Sequence, residues 1–271
     1  GVVTVKDLLM SDYEVKMEDI MDTNVIKAVT TDDKEEIADL FNKYDLLSLP
    51  VVDHENRLVG IVTIDDAVDV MEEEATEDFE KMAAMHPSEK PYLKTGVFEL
   101  AKNRIVWLLV LMISSMLTGG ILTRYEDAFK VMPLLVSFVP MLTDTGGNAG
   151  SQSSTMIIRG MTIGEIASAD ILKVIWKEAR VSVIVGIILG AVNFIRLVVQ
   201  YPGQPLVALT VVLALFATVF VAKVIGGMLP IAAKKLHLDP AIMAAPLITT
   251  IVDAVSLVIY FQIAVELLHI K

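Results

Sequence analysis

The hydrophobic and polar positions divide the chain into two halves of different character. Residues 1–104 interleave short apolar runs with charged segments, whereas residues 105–271 form long apolar stretches interrupted at a few polar points. About 20 consecutive apolar residues are enough for one helix to cross a bilayer. We therefore predict five membrane spans, at residues 104–123, 131–158, 180–200, 206–233 and 241–268.

The first half shows an internal repeat with a mixed α/β pattern. GVVTVKDLL at residues 1–9 matches GIVTIDDAV at residues 60–68. Between the copies, the pattern predicts a helix at about 32–44, a strand at SLPVVD, a turn at HENR, a strand at LVGIVT and a helix from Asp65. This order resembles a CBS (cystathionine-β-synthase-like) module, which normally occurs in pairs. We expect the end of a partial first module at 1–22 and a complete module at 23–76.

The charges separate in the same way as the hydrophobic pattern. Residues 1–104 hold 25 acidic and 11 basic residues, whereas residues 105–271 hold 9 acidic and 11 basic residues. The chain has no cysteine, which excludes disulfides and thiolate metal sites, and it begins without a basic and apolar signal sequence. We predict an acidic α/β domain followed by an α-helical transmembrane domain, with no nucleic-acid partner.

Basic residues at the ends of the predicted spans indicate an orientation. Three bases fall on one side, namely Arg124, Lys130 and Lys271. Eight fall on the other, namely Lys102, Arg104, Arg159, Lys173, Lys177, Arg180, Lys234 and Lys235. Because the side richer in bases is usually cytoplasmic, we expect a cytoplasmic N-terminal domain, and five spans then place the C-terminus outside. The predicted location is the plasma or inner membrane.

Polar residues inside the spans are the candidates for a functional site, because charge within a bilayer is costly. Asp253 lies near the middle of the last span, and Thr249 precedes it by four residues on the same helix face. Asp144, Asn148 and Gln152 repeat every four residues within LTDTGGNAGSQSST. The glycines of this stretch permit either a helix break or a close helix contact.

Two interpretations of these residues remain open from the residues alone. Carboxylate, amide and carbonyl oxygens without nearby histidine suit a hard cation, and so few carboxylates favour Mg²⁺, which keeps much of its water. Alternatively, GGNAG only packs helices together, and Asp253 forms an ion pair with Lys223 or Arg196. The four histidines are scattered, so the pattern does not suggest an enzyme.

Three stretches make the whole chain resemble the MgtE family of magnesium transporters and channels. They are PMLTDTGGNAGSQSSTMIIRG at 140–160, DPAIMAAPLITTIVD at 239–253 and GIVTIDDAVDVMEEEATED at 60–78. The resemblance implies a homodimer in the lipid bilayer, an acidic linker helix at 77–103, a transmembrane domain at 104–271 and a missing N-terminal part of the first module. It also implies that Asp253 holds hydrated Mg²⁺ in a central pore.

Other pore positions follow from the same resemblance. Asn148 and Gln152 belong to the motif beside the pore, and Glu178 matches a cytoplasmic-side acid that meets the ion. The chain departs from the family at Ala245, where other members often carry an amide or a glycine, and at Ser151, where some carry an amide. It also has an acid at Asp144, a position that need not be acidic. These departures affect the details of the ion path more than the family itself.

The helix that follows the second repeat copy is strongly acidic. Nine of the sixteen residues at 65–80 are acidic, so we expect it to repel itself and a dimer mate unless cations lie between them. The bland alternative is a solvated acidic face. In the family that the chain resembles, Mg²⁺ bound among such acids closes the pore. The matching positions are Asp33, Glu35, Asp45, Asp66, Asp69, Glu74, Glu77 and Asp78.

The Thr-x-x-Asp pattern occurs twice in the acidic half. Thr63 with Asp66, and Thr4 with Asp7, match the positions with which paired CBS modules hold ATP or another adenine nucleotide. Thr and Asp are also ordinary helix-capping residues. For the chain as a whole, the predicted function is Mg²⁺ import through a channel-like pathway that cytoplasmic Mg²⁺ closes. The alternatives are an ion-coupled transporter of divalent cations and a membrane-anchored CBS sensor.

Overall fold

A computed structural model gives the architecture and describes residues 1–88 and 90–270. The chain divides into two compact units, Gly1–Thr76 and Glu77–Lys271. Helix α4, at Ile64–Met82, begins in the first unit and ends in the second.

The first unit is a small α/β domain. Its remaining elements are α1 (Val5–Met10), α2 (Met17–Ile20), β1 (Ala28–Val29), α3 (Lys34–Tyr44), β2 (Ser48–Val52) and β3 (Leu58–Thr63). The strands lie in the order β1-β2-β3, with β1 parallel and β3 antiparallel to β2. The predicted helix at 32–44, the two strands and the final helix are therefore confirmed.

A compact apolar core holds the sheet of this unit against its helices. Phe41 from α3 and Ala67 from α4 pack with Ala28 and Leu49 of the sheet, and all four are buried. In β2, Leu49 and Val52 are buried and Ser48 is exposed, whereas most of β3 is exposed. The sheet pairing runs from Ser48 opposite Thr63 at one end of β2.

The second unit is α-helical. Its helices are α5 (Val97–Arg124), α6 (Glu126–Val131), α7 (Val139–Thr162), α8 (Ile171–Gln200), α9 (Pro205–Lys235) and α10 (Ala245–Leu267). Helix α9 is the central element, since it packs against α7, α8 and α10. It begins with a proline in the first turn and ends with two lysines, both of which suit those helix ends.

Glycine contacts bring α7 unusually close to its neighbours. A Cβ atom added to Gly226 on α9 would lie 2.2 Å from the carbonyl oxygen of Gly150 on α7. Another, added to Gly146, would lie 2.6 Å from the Thr218 side chain. Helix α7 remains continuous through its glycines. The close contact, not the helix break, is therefore the role that these glycines have in the structure.

Within the part of the chain that the structure describes, four helical segments are long and apolar enough to cross a membrane: Val97–Arg124, Ser168–Gln200, Pro205–Lys235 and Pro240–Leu267. Helix α7 is not among them, because its hydroxyl, amide and carboxylate side chains lower its hydropathy. Its 24 residues would nevertheless extend about 36 Å, more than the roughly 30 Å of a hydrocarbon core. The five-span arrangement stays a prediction.

Candidate ion pathway

The candidate site lies where α7 and α10 run side by side. Gly150 on α7 faces Ile248 and Val252 of α10, whereas Gly146 faces Val252 and Ser256. The contacts thus move towards the C-terminal end of α10 as they move towards the N-terminal end of α7. The two helices are therefore antiparallel in this region.

This antiparallel register brings two carboxylates to the same level. Gly147 contacts Thr249, and one helical turn from each of them, in opposite chain directions, are Asp144 and Asp253. The negative charge of Asp144 acts on Asp253, which is half-buried. Because like charges repel at short range, the pair favours a cation between or beside its members.

Threonine oxygens adjoin the carboxylate pair. The hydroxyls of Thr249 and Thr250 both donate hydrogen bonds of 3.0 Å to the carbonyl oxygen of Pro246. With their hydrogens committed to that carbonyl, the two hydroxyl oxygens present lone pairs, which are suitable ligands for a hard cation or its water shell. The side chain of Ala245, another predicted pore position, lies outside the described residues.

Asn148 and Gln152 extend the polar surface along α7. Together with Asp144 they are spaced by four residues, and all three are exposed in the single chain. They therefore form one polar stripe on the side of α7 that its neighbours in the unit leave uncovered. The opposite side of the helix, which includes Gly146 and Gly150, is buried.

Glu178 belongs to a second polar group, deeper between α7, α8 and α9. It accepts a hydrogen bond of 2.6 Å from the hydroxyl of Ser153, which is 2% exposed. Ser153 follows Asp144 by nine residues, so this group lies about 14 Å farther along α7. The structure thus separates the predicted pore acids into two levels.

Neither of the bases considered as partners of Asp253 pairs with it among the described residues. Lys223 donates to the hydroxyl of Ser153 at 3.4 Å. Arg196 donates to the side-chain oxygen of Asn193 at 3.0 Å and also contacts the sulfur of Met141. Sequence reasoning missed Ser153, and it misassigned Lys223, whose position within an apolar run was the available signal.

The predicted regulatory acids are spread over both units. Asp33 and Asp45 cap the two ends of α3, where Asp33 accepts a bond of 2.9 Å from the amide of Glu35. Asp66, Asp69, Glu74, Glu77 and Asp78 lie on α4. Within residues 1–88 and 90–270, no group of three or more acidic or histidine side chains is arranged to hold a metal ion.

Lysines neutralise part of the acidic helix. Lys34 pairs with Glu74 at 3.0 Å and with Glu73 at 3.3 Å. The hydrogen bonds that the Lys34 ammonium donates to Glu74 and then to Glu73 raise its pKa. Near the end of α4, Lys81 pairs with Glu77 and with Asp239, the latter at 2.7 Å. Lysine pairing therefore offsets some of the repulsion that the sequence predicts.

The two Thr-x-x-Asp patterns form hydrogen bonds within themselves. The Thr63 hydroxyl donates a hydrogen bond of 2.9 Å to the carboxylate of Asp66, and the Thr4 hydroxyl donates one to the carboxylate of Asp7. Thr4 also caps α1 by accepting from the amide of Asp7. These contacts support the capping interpretation, and nucleotide binding stays a prediction.

Comparisons with known proteins give matches to both halves of the chain. Residues 139–263 match the family model MgtE, described as a divalent cation transporter, and residues 17–73 match the CBS domain model. The magnesium transporter MgtE of Bacillus subtilis is 38% identical over 269 residues, which are 99% of this chain and 59% of that protein. The corresponding protein of Thermus thermophilus gives the same identity and the same coverage.

A third relative, the magnesium transporter MgtE of Enterococcus faecalis, is 31% identical over 97% of this chain and 57% of its own length. The chain thus spans about three fifths of the curated relatives that it matches. All three relatives are named as transporters, in agreement with the prediction that the chain is not an enzyme. With the CBS match ahead of the transporter match, nearly the whole chain is similar to the MgtE family of divalent cation transporters.

Proposed function

We propose that the chain carries Mg²⁺ across a membrane along the polar surface of α7 and α10. The observation that supports this most strongly is the approach of Asp144 to Asp253 beside Thr249, within otherwise apolar helices. An intramembrane carboxylate pair without a basic partner is costly unless a cation visits it. The names of the relatives as magnesium transporters support Mg²⁺ as the ion.

The ion passes with much of its water retained. Mg²⁺ loses water reluctantly, and the carboxylates and threonine oxygens of the site can hold the ion through its water shell. The outward-facing amides of Asn148 and Gln152 suit hydrogen bonding to such a water shell. Because this stripe is uncovered in one chain, a second copy facing it would close the pathway, and we propose the homodimer as the working unit.

The direction of transport and its control follow from the charge pattern. We propose that the α/β domain lies in the cytoplasm, that α7 serves as the fifth span and that Mg²⁺ moves inward. We further propose that cytoplasmic Mg²⁺ among the regulatory acids closes the pathway. The acidity of α4 supports this, because lysines offset only part of its charge. A ligand shifts such an equilibrium only by binding one state more tightly.

The test is Mg²⁺ uptake into proteoliposomes that contain the full chain. Wild type should admit Mg²⁺, and Asp253→Asn should reduce the rate about tenfold or more, since a carboxylate close to a divalent ion is worth over 1.4 kcal/mol even in water. Glu266→Gln is the matched control, because it removes a carboxylate from the same helix away from the pair. Added Mg²⁺ on the cytoplasmic face should slow wild-type uptake.

Other outcomes would favour other functions. Equal uptake by wild type and Asp253→Asn would place the pathway elsewhere. Uptake that follows a proton or sodium gradient would favour the ion-coupled transporter. A wild-type chain that folds but admits no Mg²⁺ would favour the membrane-anchored CBS sensor.

A further inference from the structure

Lys223 is a buried charge that the proposed pathway does not use. It lies on α9 within the apolar run VFVAKVIGG and is only 6% exposed. Basic side chains inside membrane segments are rare, and they usually face a partner or a cavity. The position of Lys223 therefore requires a compensating group within the helix bundle.

That group is Glu178, which Lys223 reaches through a serine. The ammonium donates to the Ser153 hydroxyl at 3.4 Å, and that hydroxyl donates to the Glu178 carboxylate at 2.6 Å. These two bonds place the ammonium and the carboxylate within about 6 Å of each other, a separation at which opposite charges stabilise one another. The three residues come from α9, α7 and α8 respectively.

Packing fixes the carboxylate in this arrangement. A Cβ atom added to Gly227 on α9 would lie 3.0 Å from the Cγ of Glu178. The missing side chain at 227 therefore leaves the space in which the Glu178 stem lies against α9, one turn from Lys223. Glu178 is held in place by α9 and by Ser153 at the same time.

We propose that Lys223 is a built-in counter-cation that lowers the affinity of Glu178 for a passing Mg²⁺ ion. This inference rests on the proposed transport function. An ion that arrives at Glu178 meets a carboxylate already partly neutralised, and the fixed ammonium repels it. The ion is therefore held weakly at this level and released quickly. Lys223 acts through Glu178 and is a positioning residue, not a ligand.

The expected size follows from Coulomb's law. A divalent ion on the Glu178 carboxylate would lie about 6–9 Å from the ammonium, where a unit charge changes its binding by about five- to tenfold even with the dielectric constant of water. A drier environment would increase the effect. Removal of the ammonium should therefore lower the KM for Mg²⁺ by about five- to tenfold and also lower the maximal rate, because release becomes slower.

The test compares KM and maximal rate of Mg²⁺ uptake in proteoliposomes for wild type, Lys223→Met and Lys223→Arg. We expect Lys223→Met to lower both quantities, and Lys223→Arg, which keeps the charge, to restore both. In a Glu178→Gln background, Lys223→Met should change KM far less, because the ion no longer has a carboxylate to bind at this level and spends little time near the ammonium. A role in folding alone would lower the amount of active protein without changing KM.

Three results would overturn the proposal. One is an unchanged KM in a folded Lys223→Met variant while wild type transports Mg²⁺, which leaves the transport function intact. If Lys223→Met does not fold, Glu178→Gln is tested alone and should raise KM. An unchanged KM in that variant is the second result that would refute the role of this pair. A wild-type chain that carries no Mg²⁺ refutes the proposed function together with this inference.

Discussion

Replacement of Gly226 by alanine tests the close contact between α7 and α9. The added Cβ would lie 2.2 Å from the carbonyl oxygen of Gly150 and 3.0 Å from its Cα. Both atoms are backbone, so no side chain can rotate away, and the two helices must separate by most of an ångström. Overpacking of this kind usually costs about 1–3 kcal/mol.

The assay is thermal unfolding of the full chain in detergent, followed by circular dichroism. For a unit of this size, 1–3 kcal/mol corresponds to a fall in apparent Tm of roughly 2–12 °C. Gly119→Ala on α5 is the matched control, because a Cβ there meets nothing within 4 Å. It should keep or slightly raise the Tm, since alanine favours helix more than glycine does. Equal Tm values for the two variants would refute the contact.

Two further predictions concern Lys81, which pairs with Asp239, and Thr249, which lies beside the carboxylate pair. Lys81→Met should remove the ion pair with Asp239 and loosen the end of α4, by up to about 1 kcal/mol for a partly exposed pair. Burial lowers the pKa of Lys81, but its bonds to Asp239 and Glu77 more than offset this and leave the pKa raised. The contribution of the pair should therefore be fully present below the usual lysine pKa and should be lost as pH rises from there through the raised pKa. A hydrogen-exchange profile of residues 77–82 that Lys81→Met does not alter would contradict the role of the pair. Thr249→Val should raise the KM for Mg²⁺ several-fold, because it removes a hydroxyl oxygen beside the carboxylate pair. Thr210→Val, which removes a similarly bonded hydroxyl from α9, is the control and should leave KM unchanged. Equal effects of the two substitutions would refute a specific role of Thr249 in ion binding.

The hydrophobic pattern was sufficient for most of the helices and strands, and three sequence stretches carried the family resemblance, but neither identified the partners of the polar residues. Asp253 and Asp144 stand out in sequence because each is a carboxylate within an apolar segment. Their proximity depends on the antiparallel register of α7 and α10, which arises from contacts between residues a hundred positions apart. A periodicity along one helix carries no information about that register.

Lys223 also shows that the sequence does not identify the partner of a polar residue, and here the partner that the sequence suggests is wrong. Its charge within an apolar run indicates a partner, and the sequence offers Asp253 as an obvious one. The structure instead gives Ser153 and Glu178, because the glycines of α7 and α9 let those two helices approach closely. A glycine in a helix allows the backbone of a neighbouring helix to approach closely. Tertiary packing determines which neighbouring helix that is.

The polar residues of α7 also explain why the sequence segmentation predicts a span there although the helix itself is not apolar enough to be recognised as one. Sequence segmentation joins residues 131–158 into one span, whereas the structure has a short 3-10 turn at Pro133–Phe138 and then α7. The turn begins at a proline, which suits a helix start better than a helix interior. The same polar side chains that make α7 a candidate pathway lower the hydropathy by which spans are recognised.

The most direct test of the ion pathway is a double-mutant cycle on Asp144 and Asp253. Mg²⁺ uptake is measured in proteoliposomes for wild type, Asp144→Asn, Asp253→Asn and the double variant. If the two carboxylates hold one ion together, the loss in the double variant will be much smaller than the product of the two single losses. Losses that multiply would show that the two carboxylates act independently and would contradict a shared site.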